Sequence, residues 1–381
     1  MDPNVSRRSL LGASLGASLG LARIPAPFRE EGVQRQSPDG VFSVKDFGAK
    51  GDGATDDAGA FQTAIDTAAK VGGLVVVPFS PANYIIGSPL TLAPNVSIQG
   101  GGGQSPTLRL ASGVPVMFTW VGNAEASHLH ASILNLTLES GASGSGTAIH
   151  VRNFNGLYVR HVSINHFNMG VVSNWGIGLN LYACSFVHLK RGLNVGGSGA
   201  PGGLRPGLPN DPFMDTVVVD GCGFAQNELD INDMGSSKSL GGIIIRDCSL
   251  FEAWATPVTA KRFYIRIANR KGVTISGNWF ESGLPSRTCI YLGNVDHDGN
   301  QTKMCHGAAI FGNMVLQTAK TGTIGVDLAA CDGAAVFGNC FEFAPGNHPV
   351  RLAGTAGPES VGQNAFLTYP DQPEYANPVG R

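Results

Sequence analysis

One short phrase, written eight times, constrains this chain more than anything else in it. It reads LYVRHVSI at 157, LNLYACSF at 179, VVVDGCGF at 217 and IIIRDCSL at 243. It continues as VTISGNWF at 273, AAIFGNMV at 308, AAVFGNCF at 334 and ESVGQNAF at 359. The sixth residues are Val162, Cys184, Cys222, Cys248, Asn278, Asn313, Asn339 and Asn364, separated by 22, 38, 26, 30, 35, 26 and 25 residues. A phrase recurring at such intervals marks a solenoid. Within each phrase apolar residues alternate and then skip one, as a strand does before a sharp bend. A second short strand follows, as in GLNV at 192, ELDI at 228, TPVTA at 256, CIYL at 289, GVDL at 325 and PVRL at 349. Two or three strands per turn, without a fixed LxxLxL phrase, predict an all-β parallel β-helix rather than a leucine-rich repeat.

Stacking places identical positions above one another at about 4.8 Å, so like residues form ladders. Cys184, Cys222 and Cys248 read as a small apolar stack inside the bend. A metal or redox trio is the alternative, but no histidine or carboxylate shares the ladder. Asn278, Asn313, Asn339 and Asn364 read as an amide ladder whose side chains satisfy one another and the turn backbone. The 53 glycines suit many tight turns. With 14% charged residues and a net charge of −2, nothing advertises a nucleic-acid partner.

The N-terminus reads as an address. Ser6-Arg7-Arg8-Ser9-Leu10-Leu11 opens the apolar run LLGASLGASLGLA, too short and too glycine-rich to span a membrane. The expectation is a twin-arginine leader over 1–22, a linker over 23–40 and delivery to the periplasm or the exterior. The seven cysteines include no CxxC and no zinc spacing.

The stretch DFGAKGDGATDDAGAFQTAIDTA, residues 46–68, packs Asp46, Asp52, Asp56 and Asp57 among glycines. Phe61, Ala64, Ile65, Ala68 and Ala69 fall at helical spacing, and Gly72-Gly73 marks a stop. Thr55 or Asp56 takes the N-cap, with Asp56 and Asp57 in a first turn where the helix dipole favours them. The spacing does not fit an EF-hand loop. These carboxylates are expected to be structural.

That stretch, followed by GGLVVVPFSPANYIIGSPLTLAPNVSIQGGG, resembles the opening of the pectate-lyase-like β-helix proteins, which include rhamnogalacturonase-like and epimerase-like members. The resemblance is specific over 41–103 and is carried to about 366 by the coil phrase. It implies a right-handed parallel β-helix over 41–366, a short helix capping its N-terminal end and a tail over 367–381. It also implies a polysaccharide-active protein: a lyase, glycoside hydrolase or epimerase acting on an acidic, uronic-acid-containing glycan. A non-catalytic glycan binder or a tailspike-like assembly, monomeric or homotrimeric, is the other class.

A closed core confines chemistry to outward side chains and loops. One outward row is expected to run Arg160, Tyr182, Asp220, Arg246, Ser276, Phe311 and Phe337. A second is expected to run His150, Asn194, Asp230, Thr259, Tyr291, Asp327 and Arg351, with Glu252, Glu281 and Glu342 just past the bend. Charge concentrates between about 215 and 300. Hydrolysis needs two carboxylates, and Asp230, Glu252 and Glu281 are the candidates. Elimination or epimerisation needs a base such as Lys261, Tyr291 or His297 and a cation such as Arg262, Arg266 or Arg270. Asp220 and Arg246 are further substrate-binding candidates, and read equally as a surface ion pair. VDHDG at 295 resembles a calcium-site phrase of pectate lyases; it falls in a loop, so calcium stays an open possibility without assigned ligands.

Overall fold

In a computed structural model, residues 37–381 form one compact unit. The described residues are 40–101, 104–122, 128–196, 214–234, 241–252, 263–283, 285–293, 304–317, 322–344, 346–352, 360–367 and 379–380. The leader expected over 1–22 and the linker as far as 39 lie outside them.

The unit is a right-handed parallel β-helix whose turns contribute strands to three faces. The repeated phrase builds the first face, where Met214–Asp220, Ile243–Arg246, Lys271–Ser276, Cys305–Phe311 and Cys331–Phe337 pair in succession. The end of the phrase crosses the bend into the second face, with Gly223–Ala225, Ser249–Phe251, Trp279–Ser282, Met314–Gln317 and Cys340–Phe343. The third face stacks Arg191–Val195, Leu229–Met234, Phe263–Ala268, Thr288–Gly293, Ile324–Leu328 and His348–Leu352. Val379 and Gly380 add a parallel pairing beside Val350 and Arg351.

The bend between first and second faces is made by one residue in left-handed conformation, the fifth in seven of the eight phrases. His161, Ala183, Gly221, Asp247, Gly277, Gly312 and Gly338 all have φ between 49° and 66°. Glycine adopts that conformation without the Cβ clash that other residues meet, which explains the Gly-Asn pair in the later phrases. The next residue then points into the core. Asn278, Asn313, Asn339 and Asn364 form the expected ladder, the first three each donating Nδ2 to the next Oδ1 at 2.8–3.0 Å. Each Oδ1 also takes a backbone N–H of the preceding coil at 3.0 Å, from Cys248, Asn278, Asn313 and Asn339 in turn.

Upstream, thiols replace the amides. Cys184, Cys222 and Cys248 are buried and donate to the carbonyls of Val159, Leu181 and Val219. The neighbouring Cys222 thiol and burial push the Cys184 thiol up. The core between the faces is apolar, with Phe186 and Phe224 stacked at 4.7 Å. Each such ring contributes about 1.5–3 kcal/mol by leaving water.

Helix α1 (Ala58–Ala69) closes the N-terminal end, burying Phe61, Ala64, Ile65 and Ala68 against the first strands. It begins later than expected, with Asp57 at the N-cap position. Asp56 Oδ1 takes the N–H groups of Ala58 and Gly87 at 3.0 and 2.9 Å, tying the helix to the first coil. Asp57 reaches backwards to the N–H groups of Lys50 and Gly51. Asp52 accepts from the Ala54 and Thr55 backbone and from the Thr55 hydroxyl. Those bonds hold its carboxyl down to about 2. All three carboxylates act in the cap.

Candidate functional site

The third face brings together the side chains best suited to chemistry. Its strands alternate, so Ile231, Ile265, Ile290 and Val326 point inward. Their neighbours Asn232, Arg266, Tyr291 and Asp327 face out in one register-aligned row, which continues from His150, Val172 and Asn194 and closes at Arg351. At the C-terminal half of the row lies a cleft of about 460 Å³ lined by Phe263, Ser286, Arg287, Thr288, Tyr291, Asp327 and Arg351.

Asp327 is buried at the cleft wall and held by Arg351 through both oxygens, one bond being Nε to Oδ1 at 3.1 Å. The hydrogen bonds it donates to Asp327 keep the half-exposed Arg351 guanidinium charged to higher pH. Tyr291 packs on Phe263, rings 5.0 Å apart. Burial, and then the Asp327 charge, push the Tyr291 phenol up, so at neutral pH it is a proton donor. Arg266 follows on the row and lies over Phe263 at 5.9 Å. Arg287 joins the cleft from the bend, buried and paired with Glu252 at 3.4 Å.

The expected outward row of the first face is present residue for residue, from Arg160 through Asp220 and Arg246 to Phe337. Arg246 binds Asp220 there at 2.6 and 2.9 Å, an exposed ion pair on a different face from the cleft. The expected second row needs correction. Asn232 stands where Asp230 was expected, and Arg266 stands in the place given to Thr259, which lies outside the described residues. Asp230 is fully buried at the corner, accepting from Asn227 Nδ2 at 2.9 Å. Tyr264 and Cys289 hold that same corner position in the next coils, also without exposure. The chain is still leaving the bend there, so Asp230 and Ile231 both point inward and simple alternation misplaces the aspartate.

Glu252 is also buried rather than outward, in its pair with Arg287. Glu281 lies on the second face, where Trp279 Nε1 donates to it at 3.4 Å. Asp230, Glu252 and Glu281 therefore do not converge on one space. Arg270 is fully buried with Asp233, Nε to Oδ2 at 2.7 Å, and is no substrate cation. Lys261, Arg262 and His297 lie outside the described residues. Among the described residues no three histidine, cysteine or acidic side chains gather as a metal site.

Of the expected site residues, the structure unites Tyr291 and Arg266. It adds Asp327, Arg351, Arg287, Phe263 and Ser286. The opposite charges at equal positions of GVDL and PVRL were the available signal for Asp327 and Arg351.

Comparison with known proteins agrees with this architecture. A family described as rhamnogalacturonase A/epimerase, pectate lyase-like, matches residues 41–135. Alginate lyase 7 of Azotobacter vinelandii is 37% identical over 107 residues, 26% of this chain and 12% of that protein. Mannuronan C5-epimerase AlgE6 of the same organism is 44% identical over 80 residues, 19% of this chain and 9% of that protein. The chain thus spans about a tenth of the length of these relatives. The surface adhesin PfbA of Streptococcus pneumoniae superposes with a TM-score of 0.52 at 14% identity, covering 86% of this chain and 91% of the adhesin.

Proposed function

We propose that this chain, a right-handed parallel β-helix of the pectate-lyase-like superfamily, is a polysaccharide-active enzyme that removes a proton beside the carboxylate of a uronic-acid glycan. The observation that carries the reading is the cleft itself, where a protonated phenol stands between two guanidinium groups. Arg351, which lines the cleft, suits the substrate carboxylate, and withdrawing its charge acidifies the adjacent C–H. Tyr291 is placed to give a proton, either to the leaving glycosidic oxygen in β-elimination or back to carbon in epimerisation. The proton drawn from carbon passes to the ionised carboxylate of Asp327, the neighbour of Tyr291 on the row and in the cleft lining. Asp327 orients Arg351. Hydrolysis is supported less, because it needs a carboxylic acid that donates a proton. Asp327, the acid in the cleft lining, is bound to Arg351, and Glu252 behind it is bound to Arg287.

The alginate-lyase and mannuronan-epimerase relatives make polymannuronate the first substrate to try, with polygalacturonate beside it. Export belongs to the same proposal and is supported by Arg7-Arg8 and the apolar run behind them. The test follows ultraviolet absorbance for unsaturated ends, and proton exchange at carbon for epimerisation. Tyr291→Phe is expected to lower turnover by roughly 10²–10⁴-fold at an unchanged melting temperature. Full turnover in that variant, or reducing ends without unsaturation in the wild type, overturns the proposed chemistry.

A further inference from the structure

We infer that Arg191 and Arg266, with the amides of Asn194 and Asn232 between them, form an anion subsite for a second carboxylate of the acidic chain. This inference rests on the reading of the cleft as a uronic-acid site. Asn194, Asn232, Arg266 and Tyr291 are consecutive members of one outward row. At about 4.8 Å per coil, Asn194 stands about 14 Å up the face from Tyr291. That separation is too long for one sugar to fill both places.

The local hydrogen bonding is incomplete in a particular way. Arg191 Nη1 donates to Asn194 Oδ1 at 3.1 Å, and Asn232 Nδ2 donates to the same oxygen at 2.7 Å. Asn232 Oδ1, buried beside them, has no partner. A buried amide oxygen left without a donor is costly, and a ligand hydroxyl would supply one. Among the described residues neither Arg191 nor Arg266 forms a salt bridge with a carboxylate. Burial and then the positive charge of Arg266 lower the Arg191 guanidinium, with Glu228 opposing them. Two cations held close, beside an acceptor that lacks a donor, match a group carrying both carboxylate and hydroxyl. A uronic-acid residue carries both. The protein would therefore read a polymer over several coils.

The experiment measures binding by calorimetry, and turnover, with trimers and hexamers of mannuronate and of galacturonate. It compares the wild type with Arg191→Gln and Arg191→Lys, with melting temperatures checked. Arg191 is partly exposed, so its replacement leaves the core intact. The wild type is expected to prefer hexamer over trimer. Arg191→Gln is expected to cut that preference about tenfold, and Arg191→Lys to recover part of it. An unchanged hexamer preference in Arg191→Gln overturns the subsite while leaving the cleft chemistry standing. Arg191-dependent hexamer binding without turnover supports the subsite and overturns the enzymatic reading. Failure of the wild type to bind either hexamer overturns both.

Discussion

His150 shows how one residue sets a pH dependence here. It lies on the outward row of the third face, yet is 6% exposed and its Nε2 has no partner. Burial, and then the charge of Arg152, lower its imidazole from the ordinary 6.5 to about 4. The folded state thus holds His150 neutral over a range where the unfolded chain protonates it. Its contribution to stability is present above pH 6.5 and is lost as pH falls through 4. The loss is roughly 3 kcal/mol for a shift of this size. His150→Leu is expected to abolish that part of the pH dependence, seen as denaturation midpoints that converge between pH 7 and 4. A wild-type slope retained in the variant would assign the dependence to another group. Single residues were also where sequence reasoning slipped. Leu229-Asp230-Ile231 alternates as a half-buried strand should, and nothing in those letters says that the corner turns Asp230 inward.

At the scale of the element, the bend between first and second faces repeats one solution. A left-handed fifth residue is followed by an inward sixth that satisfies the backbone of the coil before it. Because seven of the eight phrases keep the left-handed residue at the same place, the first face could be aligned residue by residue from sequence alone. The third face has no such phrase. Its strands follow bends of varied chemistry and insertions of varied length, so its register, and with it the cleft, was only half legible. Tyr291, Asp327 and Arg351 could be placed on a row, but the partnership of Arg287 with Glu252 could not be read. The ladder also makes a sharp prediction. Asn313→Ala removes the acceptor for Asn278 N and Nδ2 and the donor to Ile275 O and Asn339 Oδ1. With each buried orphan costing about 1–3 kcal/mol, the variant is expected to lose roughly 3–5 kcal/mol in denaturant unfolding. A loss below about 1 kcal/mol would show that the amides are not interdependent.

Across the whole unit, contacts run between neighbouring coils, so damage at one end stays there. The cap tests this. Asp56→Ala frees the N–H groups of Ala58 and Gly87 and is expected to cost about 1 kcal/mol. Hydrogen exchange should quicken over residues 40–110 and hold steady from 263 onward, with turnover unaltered. Faster exchange in the C-terminal coils would mean that the unit unfolds as one. The same neighbour-by-neighbour logic gives the asparagine ladder a part in time as well as in space. A coil docking one residue out of step would offer Gly312 or Gly338 where an amide is awaited, stranding two donors of the coil already laid down. That arrangement would pause growth until the slip is undone, so the ladder works as a proofreading ratchet for a chain that assembles one turn at a time.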